Sequence, residues 1–548
     1  MHTRPFIYII LSLFIGNTYT KANAPQGSIE EAEFIIQKER KNELPESTRL
    51  FKKAPLPLPI EKSSIKLQYD LYDMQPSFQP LEHKVKILRA KQDMISRLYG
   101  NYLKLGHGNY YMPYIAAFLD NTRNDKYAYG LHLSHLSEGK KNYFEAYHND
   151  IELHLKTLTE KLVYTGAVQY KGDKYPLIHS INNINNTEND PHRYHAYHQI
   201  GLHTTLYNHL PAPFNYQVDA QVIHLRNHQS IQESQEKGLM QVDYMINEIF
   251  KLKTELDLHL IQYTNPHAAT LKRYISHFKP SLEVSFKDFT MQAGANLAYQ
   301  NDATALSKNF DLYPELKISY AFTKLLRPYV RLSGTIQPNT WQDLIIENPW
   351  LTPSVAIRHT NQNWVVYAGV HSDLLEMLSG HVGLSVANYH NWPCFVNHPT
   401  KPREFDIKYA HSANVLNIFA ELTKVSFAEA LITRLQGAYF YYELGELPKA
   451  WHRPQYTLEL LNTYNFYDKI LLKNKCYWLG GIHALDPHTQ TAISLPDVVD
   501  IGVSVEYLWN QRFSIFIDCQ NILAKANNHY LHTPTSGTHI LAGITYGW

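Results

Sequence analysis

Thr538-His539-Ile540-Leu541-Ala542-Gly543-Ile544-Thr545-Tyr546-Gly547-Trp548 ends the chain on an alternation of apolar and polar residues. Side chains alternate across a β-strand, so Thr538, Ile540, Ala542, Ile544, Tyr546 and Trp548 share one face. His539, Gly543, Thr545 and Gly547 share the other, with Leu541 its one apolar member. A soluble sheet would need a packed partner for the apolar face. In an outer-membrane barrel that face meets lipid, the polar face lines the lumen, and an aromatic ring sits at the interface. The expectation is a closing strand in which Ile540, Ala542, Ile544, Tyr546 and Trp548 face lipid and serve as the assembly signal.

The other end agrees. His2 and Arg4 precede an apolar run from Phe6 to Ile15, followed by Ala22-Asn23-Ala24. A charged start, a short apolar segment and an A-x-A site predict a secretory signal peptide over 1–24, cleaved near Ala24. The run is about ten residues, half the roughly twenty that a membrane helix needs. No later stretch is long enough either. A membrane protein without such helices has to be a barrel, because only helices and closed barrels satisfy the backbone in lipid.

Composition supports the class. Forty Tyr in 548 residues suit both strands and interfacial girdles. The 51 basic and 50 acidic residues show no basic stripe, so nothing favours nucleic acid, and loss of Arg4 and Lys21 leaves the mature chain near −1. Cys394, Cys476 and Cys519 are too widely spaced for a metal knot or a disulfide framework. Cys519 sits at an apolar position of a strand and reads as a small hydrophobe.

Residues 25–81 read differently from the rest. Charged residues such as Glu30, Glu31 and Lys38 precede Pro55, Pro57 and Pro59, predicting a polar, proline-rich periplasmic leader with a short helical segment near 28–42. From 82 to 548 strand signals repeat. Val499, Ile501, Val503, Val505 and Tyr507 interleave with Asp500, Gly502, Ser504 and Glu506. Leu256, Leu258 and Leu260 interleave with Glu255, Asp257 and His259, and Tyr216, Val218, Ala220 and Val222 with Gln217, Asp219 and Gln221. A face carrying ionisable residues on strand after strand suits a wet lumen better than a sandwich core.

Between 20 and 24 candidate strands fit, and the even count of bacterial barrels favours about 20–22. The predicted fold class is all-β: a single-domain transmembrane antiparallel β-barrel. Segments 192–209 and 426–443 read as strands longer than a bilayer needs. Short turns are predicted at 286–289, 323–326 and 508–511. Long connections are expected at 172–191, 228–237, 338–351, 389–410, 444–455, 484–497 and 522–537.

Asp518-Cys519-Gln520-Asn521-Ile522-Leu523, with Tyr530 and Pro534 before the last strand, resembles the close of TonB-dependent receptor barrels. Three more segments resemble plug-less barrels of that family of the Bacteroidetes type. They are Tyr99–Gly106 with Gly108-Asn109-Tyr110, Tyr127–His132 with His135-Leu136-Ser137, and Ala450-Trp451-His452-Arg453-Pro454. The resemblance implies an outer-membrane transport barrel that moves or binds a solute. It departs from the wider family in one respect. A full receptor carries a plug of well over a hundred residues, whereas 25–81 offers about 57. A wide lumen is then expected, filled by loops, by the leader or by a separate protein.

Thirty histidines raise a metal question. His192, His195, His198 and His203 cluster on one segment, with His132 and His135 on another. Residues i and i+3 of a strand point to opposite faces, and His195 and His203 share a face about 26 Å apart at ~3.3 Å per residue. These histidines therefore read as polar lumen or interface residues, with no metal and no cofactor. No nucleophile elbow, phosphate loop or zinc-protease helix is present, so the chain does not read as an enzyme. Expected partners are outer-membrane lipid and the barrel-assembly machinery. The alternative function is a structural or assembly barrel, a secretion or display platform docking a periplasmic or lipoprotein partner.

Overall fold

A computed structural model describes residues 100–548 apart from 122–123, 125, 141–142, 178–193, 211, 267, 303–308, 324, 376, 428 and 536. The signal peptide, the leader and the expected barrel start at 82 lie outside the described residues. The first strands are β1 (Asn101–Gly108), β2 (Met112–Asp120), β3 (Tyr127–Lys140), β4 (Tyr143–Leu158), β5 (Leu162–Pro176) and β6 (Tyr194–Asn208). Then come β7 (Phe214–Asn227), β8 (Gln232–Met245), β9 (Phe250–Thr264), β10 (Leu271–Phe286), β11 (Phe289–Gln300), β12 (Phe310–Tyr320) and β13 (Leu326–Gln337). Helix α1 (Trp341–Glu347) precedes β14 (Thr360–Leu375), β15 (Leu378–Asn397), β16 (Phe405–Ser426) and β17 (Leu431–Leu444). Last are β18 (Tyr456–Phe466), β19 (Ile470–Gly480), the small hairpin β20 (His483–Leu485) with β21 (Ala492–Ser494), β22 (Val498–Leu508), β23 (Phe513–Gln520) and β24 (His539–Gly547).

All but β20 and β21 form one 22-stranded sheet, and β1 pairs with β24 to close it. Each strand pairs antiparallel with its neighbours along the chain. This meets the expected all-β barrel at the upper end of the predicted strand count. Period-two patterning sorts the faces. Ile151, Leu153, Ile200, Leu202, Leu256, Leu258 and Leu260 are exposed on the outside, where lipid suits them. The inner face pairs charges across neighbouring strands: Lys253 with Glu283 at 2.6 Å, Lys279 with Glu255 at 2.7 Å, and Lys475 with Glu459 at 2.9 Å.

The two rims differ. At one, connections run from 287–288 to 121–126, and exposed aromatics crowd the edge, among them Phe286, Phe322, Phe427, Tyr467, Trp509 and Trp548. Aromatics at such a rim suit the water–lipid boundary, where the ring is dry and the polar edge wet. At the other rim lie the long connections 338–359, 445–455, 481–497 and 521–538.

Three sequence expectations are corrected. Residues 228–237 are not a long connection: β7 and β8 meet through 228–231. Most of 389–410 belongs to β15 and β16, leaving only 398–404 between them. The strand expected over 426–443 breaks at 427–430, where Phe427 (φ 55°) and Glu429 (φ 71°) turn the chain.

Candidate functional site

The long-loop rim carries a hydrophobic core of its own. Thr340 caps α1 by accepting the Asp343 N–H at 3.0 Å. Trp341, Leu344 and Ile345 then fall on one buried helical face. That face packs on Tyr197, Leu225 and Tyr263, which project inward from β6, β7 and β9, so the helix sits inside the mouth. Glu233, fully buried on β8, meets the helix start: its carboxylate accepts the backbone N–H of Trp341 at 2.7 Å and of Gln342 at 3.0 Å. A carboxylate there satisfies donors that the first helical turn leaves free. Gln235 donates to Glu233 at 2.8 Å and to Gln342 at 3.0 Å, and Gln342 donates to Gln199 at 2.8 Å.

Other loops fasten onto the helix. Tyr197 Oη donates to the Pro349 carbonyl at 2.6 Å, and Tyr530 Oη to the Glu347 carbonyl at 2.9 Å. Arg453 pairs with Glu347 at 2.5 Å and lies over the Trp392 ring. His452 is buried with a defined tautomer: Nδ1–H donates to the Phe395 carbonyl at 2.9 Å, and Nε2 accepts the Leu531 N–H at 3.2 Å. Burial pushes this imidazole down to about 4. The Ala450–Pro454 segment thus joins β15 to the 521–538 loop.

Beside α1 lies a second buried polar group. Arg273 donates from Nη2 to the Asn339 carbonyl at 3.2 Å and from Nη1 to His359 Nδ1 at 3.3 Å, while the His359 backbone N–H donates to Asp302 at 3.0 Å. Burial, and next the Arg273 guanidinium, push His359 down to about 3. A neutral imidazole is what an Arg donor requires. The segment 338–359 is therefore a lid held inside the barrel mouth by aromatic packing and by the buried hydrogen bonds that Glu233 and Arg273 make to it.

No protein-family model and no curated protein matches the sequence. Solved structures do match the fold. The FrpB iron transporter of Neisseria meningitidis superposes with a TM-score of 0.63 at 8% identity, covering 83% of each chain. The ferric enterobactin receptor PfeA of Pseudomonas aeruginosa gives 0.61 at 10% identity, over 82% of this chain and 81% of that one. The ferric-catecholate import receptor Fiu of E. coli gives 0.60 at 9% identity, over 83% and 82%. The chain has the barrel fold of TonB-dependent receptors.

Within that barrel the residues singled out from sequence fall as follows. Ile540, Ala542, Ile544, Tyr546 and Trp548 all lie exposed on the outer face of the closing strand, and Tyr546 and Trp548 stack at 5.6 Å. His132 faces the lumen and His135 the outside, as their spacing requires. His195 is buried in the mouth against Tyr197, well away from His203 on the same face. The lid residues Trp341, Glu233, Arg273 and His359 were not singled out from sequence. Only the Trp-His pair at 451–452 gave a local signal.

Proposed function

We propose that the protein is an outer-membrane transport barrel that binds a solute at its outer mouth and admits it by moving the 338–359 lid. The single observation carrying this reading is α1, a helix folded inside the mouth of a closed 22-stranded barrel and anchored to Glu233. Short turns mark the periplasmic rim of such barrels and long loops the outer one, so the lid faces the medium. A permanently open pore has no use for it. The neighbours are named as an iron transporter, a ferric enterobactin receptor and a ferric-catecholate import receptor, which makes iron complexes the substrate class to try first.

In this reading residues 1–24 are cleaved, 25–81 form a periplasmic leader in place of a folded plug, and the strand ending at Trp548 directs assembly. Planar-bilayer recording tests it. The intact barrel should conduct little, and replacing 338–359 by a short Gly-Ser link should open a channel several-fold larger. A barrel that stays silent after the deletion and co-purifies with a periplasmic or lipoprotein partner would instead support an assembly platform.

A further inference from the structure

The lumen wall near the short-turn rim brings together three metal-ligand side chains from adjacent strands. Asp120 ends β2, His132 lies on β3 and His154 on β4. His132 Nε2 is 3.1 Å from each Asp120 oxygen, and His154 Nε2 is 3.2 Å from Asp120 Oδ1. One ligand atom from each residue falls within 4.8 Å of the others. The face parity that separates His132 from His135 still holds; the partners of His132 come from its neighbours in the sheet instead.

Gly130 makes the convergence possible. It is the register partner of both Asp120 and His154, so it stands between them. A Cβ at this position would lie 1.7 Å from Asp120 Oδ1 and 2.6 Å from the His154 ring. The side chain that any other residue would place there occupies the space where carboxylate and imidazoles meet. Around the group, Glu152 Oε1 lies 3.9 Å from His154 Nδ1, a buried nitrogen with no hydrogen-bond partner among the described residues. A carboxylate behind a histidine ring is the usual outer-shell support for a metal ligand.

We propose that Asp120, His132 and His154 bind one first-row divalent transition metal, of the Zn²⁺, Co²⁺ or Ni²⁺ kind, with water from the lumen completing the shell. Ligands about 2.0–2.2 Å from a tetrahedral centre stand about 3.4 Å apart, close to the contacts seen here. Two imidazoles and one carboxylate suit these metals over Mg²⁺ or Ca²⁺, which prefer oxygen. All three ligands are about a third exposed to the lumen, so an ion and its water have access. The site lies at the opposite end of the barrel from the lid and is independent of the proposed transport reading.

Full-length protein in detergent, stripped with EDTA, is titrated with Co²⁺ while its visible d–d absorption is followed. Heat-modifiable migration checks that each variant is a closed barrel. Wild type should bind one equivalent more than the D120N/H132A/H154A variant, with the intense bands of a four-coordinate ion. G130A should weaken that equivalent at least tenfold, whereas H135A, on the outer face, should leave it intact. Equal stoichiometry in wild type and the triple variant overturns the proposal and leaves a hydrogen-bonded Asp–His–His group. Should G130A fail to close, the comparison of wild type with the triple variant decides alone.

Discussion

Asn101 and Trp548 exchange both backbone hydrogen bonds, N–H to carbonyl, at 3.3 and 3.1 Å. They join the first described strand to the last residue at the short-turn rim, and the Trp548 ring stacks on Tyr546 over the lipid face. Deleting Trp548 removes two ladder bonds and an interfacial aromatic at the point of closure. The heat-modifiable barrel recovered from outer membranes should fall several-fold, with the remainder in periplasmic aggregates. Wild-type membrane levels in the deletion would show that the residue has no role in assembly.

Glu233 and the start of α1 give a subtler test of the lid than removing it. Glu233→Gln keeps the shape but leaves one neutral acceptor oxygen where two charged ones met the backbone donors and sets an amide NH2 against the other, a cost of roughly 1–3 kcal/mol at a buried site. Amide exchange should accelerate across 341–347 while the barrel strands keep their protection. Uniform exchange in the variant and the wild type would mean that α1 is held by packing alone.

How much could be read in the sequence follows from what each face of a strand touches. Where one face meets lipid and the other water, alternation is unmistakable, as in Leu256, Leu258 and Leu260 against Glu255, Asp257 and His259. Above the membrane that contrast fails in two ways. At the top of β15, Phe395 is buried by the lid on the inside, while Cys394 and Val396 pack on Trp451 and Leu485 outside. With both faces buried, 389–410 loses its period and reads as a loop. In β8 the outer-face positions Gln232, Ser234 and Glu236 are themselves polar, so the first half of the strand shows no apolar face and resembles a polar connection. Phe427 misleads in the opposite sense, as an exposed aromatic in a turn that prolongs an apparent strand. The mouth core was hidden for another reason: Tyr197, Tyr263, Trp341, Phe405 and Tyr530 meet only once the barrel has closed.

At the same seam, Lys104 on β1 reaches Asp518 on β23 at 3.3 Å and lies 3.8 Å above the Phe516 ring. Both charged side chains are largely shielded, so the pair gains more than an exposed one, and losing the lysine leaves Asp518 without its cation. Lys104→Met should lower barrel stability by roughly 1–2 kcal/mol, read as an earlier urea midpoint in detergent with an unchanged slope. An unchanged midpoint would mean that the pair, like many exposed ion pairs, contributes nothing measurable.

His452 makes the contact of the 445–455 and 521–538 loops beside the lid sensitive to acid. Its imidazole is held down to about 4 by burial, against an ordinary value near 6.5 once the loops part. Between those values the open form binds a proton that the closed form does not, so closure weakens as pH falls from about 6.5 to about 4 and is unaffected above that window. The shift corresponds to roughly 3 kcal/mol. Protonation at Nε2 also removes the acceptor for the Leu531 N–H. His529 and His359, lowered in the same direction, add to the effect. The opening equilibrium in 445–455 and 521–538, read as the hydrogen-exchange rate divided by the intrinsic amide rate at each pH, should therefore rise steeply below pH 6. His452→Asn, which tolerates the left-handed backbone at this position (φ 57°), should flatten part of that rise. An opening equilibrium that stays constant from pH 7 to pH 4 in the wild type would sink the switch.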